Sequence, residues 1–279
     1  MELRKLLPII IKQFSGRLEI DQPGLEAEIL LAFILGKNRE WLMANLDQSI
    51  SISKRKRLVR LINRRLRGEP IAYLIGQKEF YGLNFLITKD VLIPRPETEL
   101  LVKEALKYLG AGREKRVIDL GTGCGCLAIT IAKYQPQVEV CASDISQKAL
   151  LIAKKNAEKH RVNIIFRKSD LFKNIPGKFD LIIGNLPYIK TREARSIAKL
   201  LYHPLISLDG GRKGLELNRR LIKESRDYLK NKGRLMLEIA PEQLEPLKED
   251  IKKTYPQAEI EIKKDLNKKD RVLIIAPRS

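Results

Sequence analysis

The chain has 279 residues, with 54 lysines and arginines against 34 aspartates and glutamates, and 44% of it is apolar. That length can bury a sizeable core in one or two domains, and the apolar share excludes a wholly disordered chain. No run of about 18 apolar residues occurs, which excludes a membrane-spanning helix, and the net charge of +20 points either to acidic or nucleic-acid-associated partners or to a generally lysine-rich surface.

The first twenty residues carry an apolar run interrupted by Pro8 and Lys12, with no small-residue cleavage site after it. They read as a helix of the mature protein, not as a signal peptide. A helix is predicted over Leu25 to Leu35, closed by Gly36, and a short one over Arg39 to Leu46. Ser51 or Ser53 caps a basic helix that Gly68 ends. Its apolar positions 58, 59, 61, 62 and 66 share one face, so its many basic residues form either a solvated face or a dedicated contact surface. Residues 1–70 are thus predicted to be a small helical N-terminal domain, a candidate for substrate docking. Residues 71–95 change character: Lys78 to Tyr81, Gly82, then Leu83 to Ile87 read as strand, turn and strand, followed by Val91 to Ile93. This is a β-hairpin linker.

From Pro96 to residue 279 strands and helices alternate. Strands are predicted at Arg116–Leu120, Val138–Ala142, Asn163–Arg167, Phe179–Gly184, Gly233–Ile239, Glu259–Lys263 and Arg271–Ala276. Helices are predicted at Glu97–Leu109, Leu127–Tyr134, Ser146–His160, Lys213–Asn231 and Pro241–Tyr255. The fold class is α/β, a doubly wound, mostly parallel seven-stranded sheet, with an antiparallel edge where the last two strands follow one another through a loop. Three cysteines, Cys124, Cys126 and Cys141, argue against a disulfide framework and for a reducing compartment. The spacing of 124 and 126 is too tight for an ordinary zinc site; small side chains packed beneath a helix is the plainer reading.

Val117 to Cys126 is a strand running into a glycine-rich turn and then a helix. Gly121, Gly123 and Gly125, with Thr122 and Cys124 between them, let the backbone approach a ligand closely. The pattern is G-x-G-x-G, distinct from the dinucleotide fingerprint. Asp144 ends the next strand, where a carboxylate can accept from both hydroxyls of a ribose. Asp170, followed by Leu171, ends the third strand and either accepts from an exocyclic adenine amine or serves as a turn aspartate. Asp119 either orients a ligand amine or orders the loop. Acids and glycines at successive strand ends suit an adenosine without a phosphate, as in S-adenosyl-L-methionine, and no phosphate-binding lysine motif is present.

Asn185-Leu186-Pro187-Tyr188 follows the fourth strand. The Asn185 side chain and the Leu186 backbone carbonyl offer two acceptors, Pro187 stiffens the turn and Tyr188 offers a flat face. Together they fit a planar group bearing an NH2, held with its weakly nucleophilic nitrogen in line with a methyl sulfonium. A plain turn with a core tyrosine is the structural alternative.

This four-residue run resembles the N-P-P-Y signature of S-adenosylmethionine-dependent amino methyltransferases. The blocks Pro70 to Gly76, Glu79-Phe80, Gly82-Leu83, Phe85, Val91 to Glu99, Pro204 to Gly211 and Gly214-Leu215 resemble the peptide chain release factor glutamine methyltransferase family over the whole chain. The resemblance implies a class I methyltransferase domain that methylates N5 of the glutamine in the Gly-Gly-Gln loop of release factors. Residues 121–125 would line the methionine and ribose, Asp144 would hold the ribose, Asp170 and Leu171 would flank the adenine, and Asn185 would border both cofactor and substrate. Asn185 to Tyr188 would hold the glutamine amide. It further implies a cytoplasmic protein with release factors as partners; a monomer without membrane association or a stable nucleic-acid complex is expected. Leu186 departs from the family's usual proline. The same run would also serve a nucleic-acid amino methyltransferase acting on adenine N6 or guanine N2. A binding protein disabled by Leu186 is the non-catalytic alternative.

Overall fold

The computed structural model describes residues 1–110 and 114–277. The chain divides into two compact units: Met1–Gly76 with Leu200–Tyr202, and Gln77–Lys199 with His203–Ser279.

The first unit holds α1 (Leu3–Phe14), α2 (Pro23–Leu35), α3 (Arg39–Ala44), α4 (Ile52–Leu66) and α5 (Ile71–Ile75). Proline opens α2, where its missing N–H costs no helical bond, and Gly36 in a left-handed conformation ends it. The Asn38 side chain accepts from Trp41 N–H at 2.9 Å to cap α3, and Ser51 does the same for α4 through Lys54 N–H. Leu3, Ile10 and Phe14 pack with Leu30, Leu31 and Leu58, and each such burial contributes about 1.5–3 kcal/mol. The basic helix is not solvated throughout. Arg65 is 4% exposed and its guanidinium reaches Glu26 at 2.5 Å and the Glu19 carbonyl. Val59, read as part of the apolar face, is exposed.

The second unit opens with β1 (Gln77–Phe80) and β2 (Leu83–Leu86), an antiparallel pair. Val91 to Ile93 is not a strand; residues 87–95 are irregular, with one turn at 89–90. A three-residue 3-10 turn, Pro96–Thr98, then leads into α6 (Glu99–Leu109). β3 (Arg116–Leu120), α7 (Cys126–Tyr134), β4 (Glu139–Asp144), α8 (Gln147–His160), β5 (Ile165–Lys168) and β6 (Phe179–Gly184) follow. After them come α9 (Thr191–Leu201), α10 (Glu216–Tyr228), β7 (Leu229–Glu238), α11 (Leu244–Thr254), β8 (Glu259–Lys264) and β9 (Asp270–Ala276). The sheet has the expected seven strands, in the order β5-β4-β3-β6-β7-β9-β8. All pairs are parallel except those of β9, which runs antiparallel to both β7 and β8. The reversed strand is therefore one place in from the edge. The helix α9, to which the sequence reading assigns no element, buries only Ala194 fully.

The order reverses between β3 and β6, so the carboxyl ends of β3, β4, β5 and β6 open a crevice there. Leu120 lies opposite Ser143 on one side and Gly184 on the other. This register brings the glycine turn, Asp144 and Asn185 to the same edge.

Candidate active site

A cavity of about 610 Å³ occupies that crevice, within the range of ligand pockets. The glycine turn forms one wall. Gly121 and Thr122 both donate their backbone N–H to the Ser143 carbonyl at 2.9 Å. Asp119, fully buried, accepts from the Thr122 hydroxyl at 2.6 Å and from Ala128 N–H at 3.3 Å. Of the two readings of Asp119, the contacts fit loop ordering. Burial pushes its carboxyl up to about 7, and its Oδ1 has no protein partner. The carboxylate of Asp144 accepts from Gly123 N–H at 2.9 Å and Ser146 N–H at 2.8 Å. Burial raises its pKa, and those N–H groups oppose the rise.

The three glycines differ. All have positive φ, between 56° and 86°. A Cβ at Gly121 would lie 2.8 Å from Leu186 Cδ2, and one at Gly125 would lie 2.8 Å from Ile129 Cδ1. A Cβ at Gly123 would meet nothing within 4 Å. Gly123 is thus the glycine whose bare backbone faces open space, while Gly125 packs α7 on α8 and does not line the cavity. Thr122, Cys124, Asp170, Leu171, Asn185, Leu186 and Pro187 all line it. Asp170 also lies 3.2 Å from Arg220. All three cysteines are free thiols; Cys124 and Cys126 sit in the cavity wall. Cys126 is held protonated by its contact with Cys124 and by burial.

Asn185 forms the other end. Its Nδ2 donates to the Thr98 hydroxyl at 3.0 Å, and Thr98 is buried. Glu238, a 1% exposed carboxylate ending β7, lies close by, and its Oε2 has no hydrogen-bond partner among the described residues. With Nδ2 donating to Thr98, the Asn185 carbonyl oxygen is left free of protein partners among the described residues. Burial pushes Glu238 up to about 6, opposed by Thr98, Arg271 and the Tyr188 hydroxyl, which donates to Glu238 Oε1 at 3.5 Å. Tyr188 therefore stands behind the wall and not in it. Its own hydroxyl is pushed up to about 12 by burial and by Glu238.

Residues 208–216 brace this loop. Ile189 N–H donates to the Leu208 carbonyl and Gly210 N–H to the Ile189 carbonyl, at 3.0 and 2.8 Å. A Cβ at Gly210 would lie 2.6 Å from Pro187 O, and one at Gly214 would overlap Tyr188 O. Asn156, fully buried, clamps both backbone groups of Leu86 and accepts no less a task at the glycine turn, donating to the Cys124 carbonyl at 2.9 Å. Thr98, Gly210 and Gly214 lie in sequence blocks that carry the family resemblance, Val91 to Glu99, Pro204 to Gly211 and Gly214-Leu215, but no individual role is read for them there; Asn156 and Glu238 lie outside those blocks.

A doubly wound sheet of this order, with a glycine turn after its first strand and an Asn-Leu-Pro-Tyr run after its fourth, defines a class I methyltransferase fold. Consistent with that, a methyltransferase from Pyrococcus furiosus superposes with a TM-score of 0.56 at 20% identity, covering 78% of this chain and 99% of that one. The family model for the methyltransferase small domain matches residues 96–207, and that for the PrmC N-terminal domain matches residues 10–76. The release factor glutamine methyltransferase of Coxiella burnetii is 41% identical over 81% of this chain and 82% of its own length. The one from Buchnera aphidicola subsp. Acyrthosiphon pisum is 36% identical over 98% of each. The chain belongs to the release factor glutamine methyltransferase family.

Proposed function

We propose that this chain transfers a methyl group from S-adenosylmethionine to the side-chain amide nitrogen of the glutamine in the Gly-Gly-Gln loop of release factors. The observation that carries this reading is the orientation of Asn185. Its NH2 is spent on a buried Thr98, so what it offers the cavity is an acceptor. An acceptor is what a carboxamide NH2 requires. The Leu186 carbonyl provides a second, and two acceptors hold both hydrogens while positive charge develops on nitrogen.

The residues at the other end fit the cofactor. Gly123 offers bare backbone with open space above it, and the cavity lining carries Asp90, Asp144 and Asp170. When bound, S-adenosylmethionine supplies an electrophilic methyl group on a cationic sulfur. Asp144 has lone pairs left for ribose hydroxyls after its two backbone bonds, and Asp170 stands where it can accept from an adenine amine. A delocalised amide nitrogen is a poor nucleophile, so the contribution of Asn185 to Pro187 is alignment, and no side-chain base is needed before bond formation. The protein is proposed to act in the cytoplasm as a monomer, with residues 1–70 docking the substrate, residues 71–95 forming the hairpin connection and residues 96–279 carrying the transfer.

The test is incubation with labelled S-adenosylmethionine and a release factor, either wild type or Gln→Ala in its Gly-Gly-Gln loop. Label is expected on the wild type alone, at that glutamine by peptide mass spectrometry. Equal labelling of both, or labelling of rRNA or DNA in place of the factor, overturns the reading.

A further inference from the structure

Helix α8 meets the glycine turn on one flank and the β1–β2 hairpin on another, and Asn156 reaches both. A Cβ at Gly125 would lie 3.2 Å from Ala153 Cβ, so the turn packs directly on this helix. Further along, the fully buried Asn156 engages its whole carboxamide. Its Nδ2 donates to the Leu86 carbonyl at 3.0 Å and to the Cys124 carbonyl at 2.9 Å, and its Oδ1 accepts from Leu86 N–H at 2.7 Å. Toward Leu86, the last residue of β2, the side chain does what a residue of a third strand would do. His160, one turn later on the same face, donates from Nε2 to the Asn84 carbonyl at 3.0 Å, and its ring lies 5.1 Å from that of Phe85.

At the turn, the bond from Asn156 falls on a peptide unit already tied at its other end. Gly125 N–H donates to the Thr122 carbonyl at 2.8 Å, so the Cys124–Gly125 peptide plane is held by two bonds on opposite sides. That plane sets the torsions on either side of it, including the φ of 86° at Gly125. It directly follows Gly123, whose bare backbone faces open space. Without Asn156 the plane loses one of its two ties, and the buried Cys124 carbonyl is left without a donor. Because one planar group makes all three bonds, a rotation that releases Leu86 also releases Cys124.

We propose that Asn156 is a positioning residue of the cofactor site, setting the Cys124–Gly125 peptide of the glycine turn and linking it to the hairpin. A ligand bound on the turn then suppresses opening of the hairpin edge at Leu86, and by reciprocity a loosened edge weakens the ligand. This rests on the cofactor reading above. The test combines calorimetric binding of S-adenosylhomocysteine with amide-resolved hydrogen exchange on the full chain. In wild type the ligand is expected to slow exchange at Leu86 about tenfold beyond any slowing in the edge strand β8. Asn156→Asp keeps the shape and the acceptor for Leu86 N–H but loses both donors. It is expected to bind S-adenosylhomocysteine about 10- to 100-fold more weakly, to keep kcat at saturating cofactor within about threefold, and to lose the extra slowing at Leu86. His160→Ala frees the hairpin at Asn84 without touching the turn, and should change the affinity less than about threefold. A folded Asn156→Asp that binds as wild type does overturns the assignment. So does equal weakening in His160→Ala, or wild-type exchange at Leu86 slowed no more than in β8. These outcomes leave the cofactor reading intact, whereas failure of wild type to bind S-adenosylhomocysteine overturns both. The wild-type exchange alone decides the matter if Asn156→Asp does not fold.

Discussion

The two ends of the cavity are built in different ways. The glycine turn is held mostly from nearby: Asp119, Thr122, Ala128 and Asp144 lie within 21 residues of the contacts they make, and Asn156 reaches Cys124 from 32 residues away. The acceptor loop is held from afar. Thr98 is 87 residues from Asn185, Glu238 is 50 from Tyr188, and Gly210 and Gly214 press on its backbone from a later segment. A binding surface for a small molecule can be shaped by local backbone. A site that must aim one amide nitrogen needs rigid support from several elements. Mutations should therefore separate the ends, with the first read out in cofactor affinity and the second in turnover.

The largest separation is expected at Asn185. Asn185→Ala removes the acceptor whose orientation Thr98 fixes, and kcat should fall about 10²- to 10³-fold, as for loss of one preorganised hydrogen-bonding group. Affinity for S-adenosylhomocysteine should change less than about threefold, measured by calorimetry. A comparable loss in both quantities would erase the distinction between the two ends.

A pair of glycines provides the next contrast. Gly210→Ala puts a Cβ 2.6 Å from Pro187 O and Tyr188 Cα, both backbone, so the loop must shift. Turnover should fall about 10- to 100-fold with cofactor binding preserved. Gly123→Ala meets no protein atom within 4 Å but needs φ of 56° and projects into the cavity. It should weaken S-adenosylhomocysteine about tenfold, while the remaining turnover at saturating cofactor stays within about threefold. The reverse pattern in these two variants would show that the walls have been assigned the wrong way round.

This division also explains what could be read from residues alone. The glycine spacing, Asp144 at the end of the next strand and the Asn-Leu-Pro-Tyr run are local patterns, and the seven strands announce themselves through apolar runs between helices. Thr98 lies within the marked block Val91 to Glu99, but nothing there pairs it with Asn185; that contact comes from topology that brings the start of α6 against the end of β6. Glu238 ends a strand and is indistinguishable in sequence from a solvated terminus. Gly125 fits the ligand-facing pattern as well as Gly123 does, and only packing against Ile129 and Ala153 separates them. In α9, Ala194, Ile197, Ala198 and Leu201 recur at helical spacing, a signal overshadowed by the conspicuous loop before it. Arg65 shows the opposite error, since a basic run hides the one arginine that turns inward to Glu26.

The support of Asn185 has a pH signature. Glu238 accepts from the Tyr188 hydroxyl when ionised, and burial pushes its pKa up to about 6. Above that value the carboxylate holds Tyr188, the last residue of the Asn185–Tyr188 loop, from behind. Below it, protonated Glu238 is a weaker acceptor and that brace on the loop loosens. Turnover should therefore decline as pH falls through about 6, by about tenfold for one weakened hydrogen bond. Glu238→Gln should already be reduced at pH 8 by a similar factor and lose that acid limb. An unchanged limb in the variant would assign the titration elsewhere.

The smallest effect is expected at Leu186. Its side chain is 4% exposed and covers Gly121, joining the two ends directly. Leu186→Pro keeps the backbone carbonyl proposed to accept from the substrate amide, and the Leu186 N–H donates to no described residue, so its loss removes no bond. What disappears is packing over Gly121, worth about 1–3 kcal/mol of stability and readable as a lowered melting temperature. Turnover should stay within about threefold. Because the leucine fills space against a glycine, it acts as a wedge between turn and acceptor loop, a role that a stiffer but smaller proline fills less completely. If Leu186→Pro instead raised kcat tenfold or more, loop stiffness and not the long-range bracing by Gly210, Gly214 and Glu238 would be what aims Asn185.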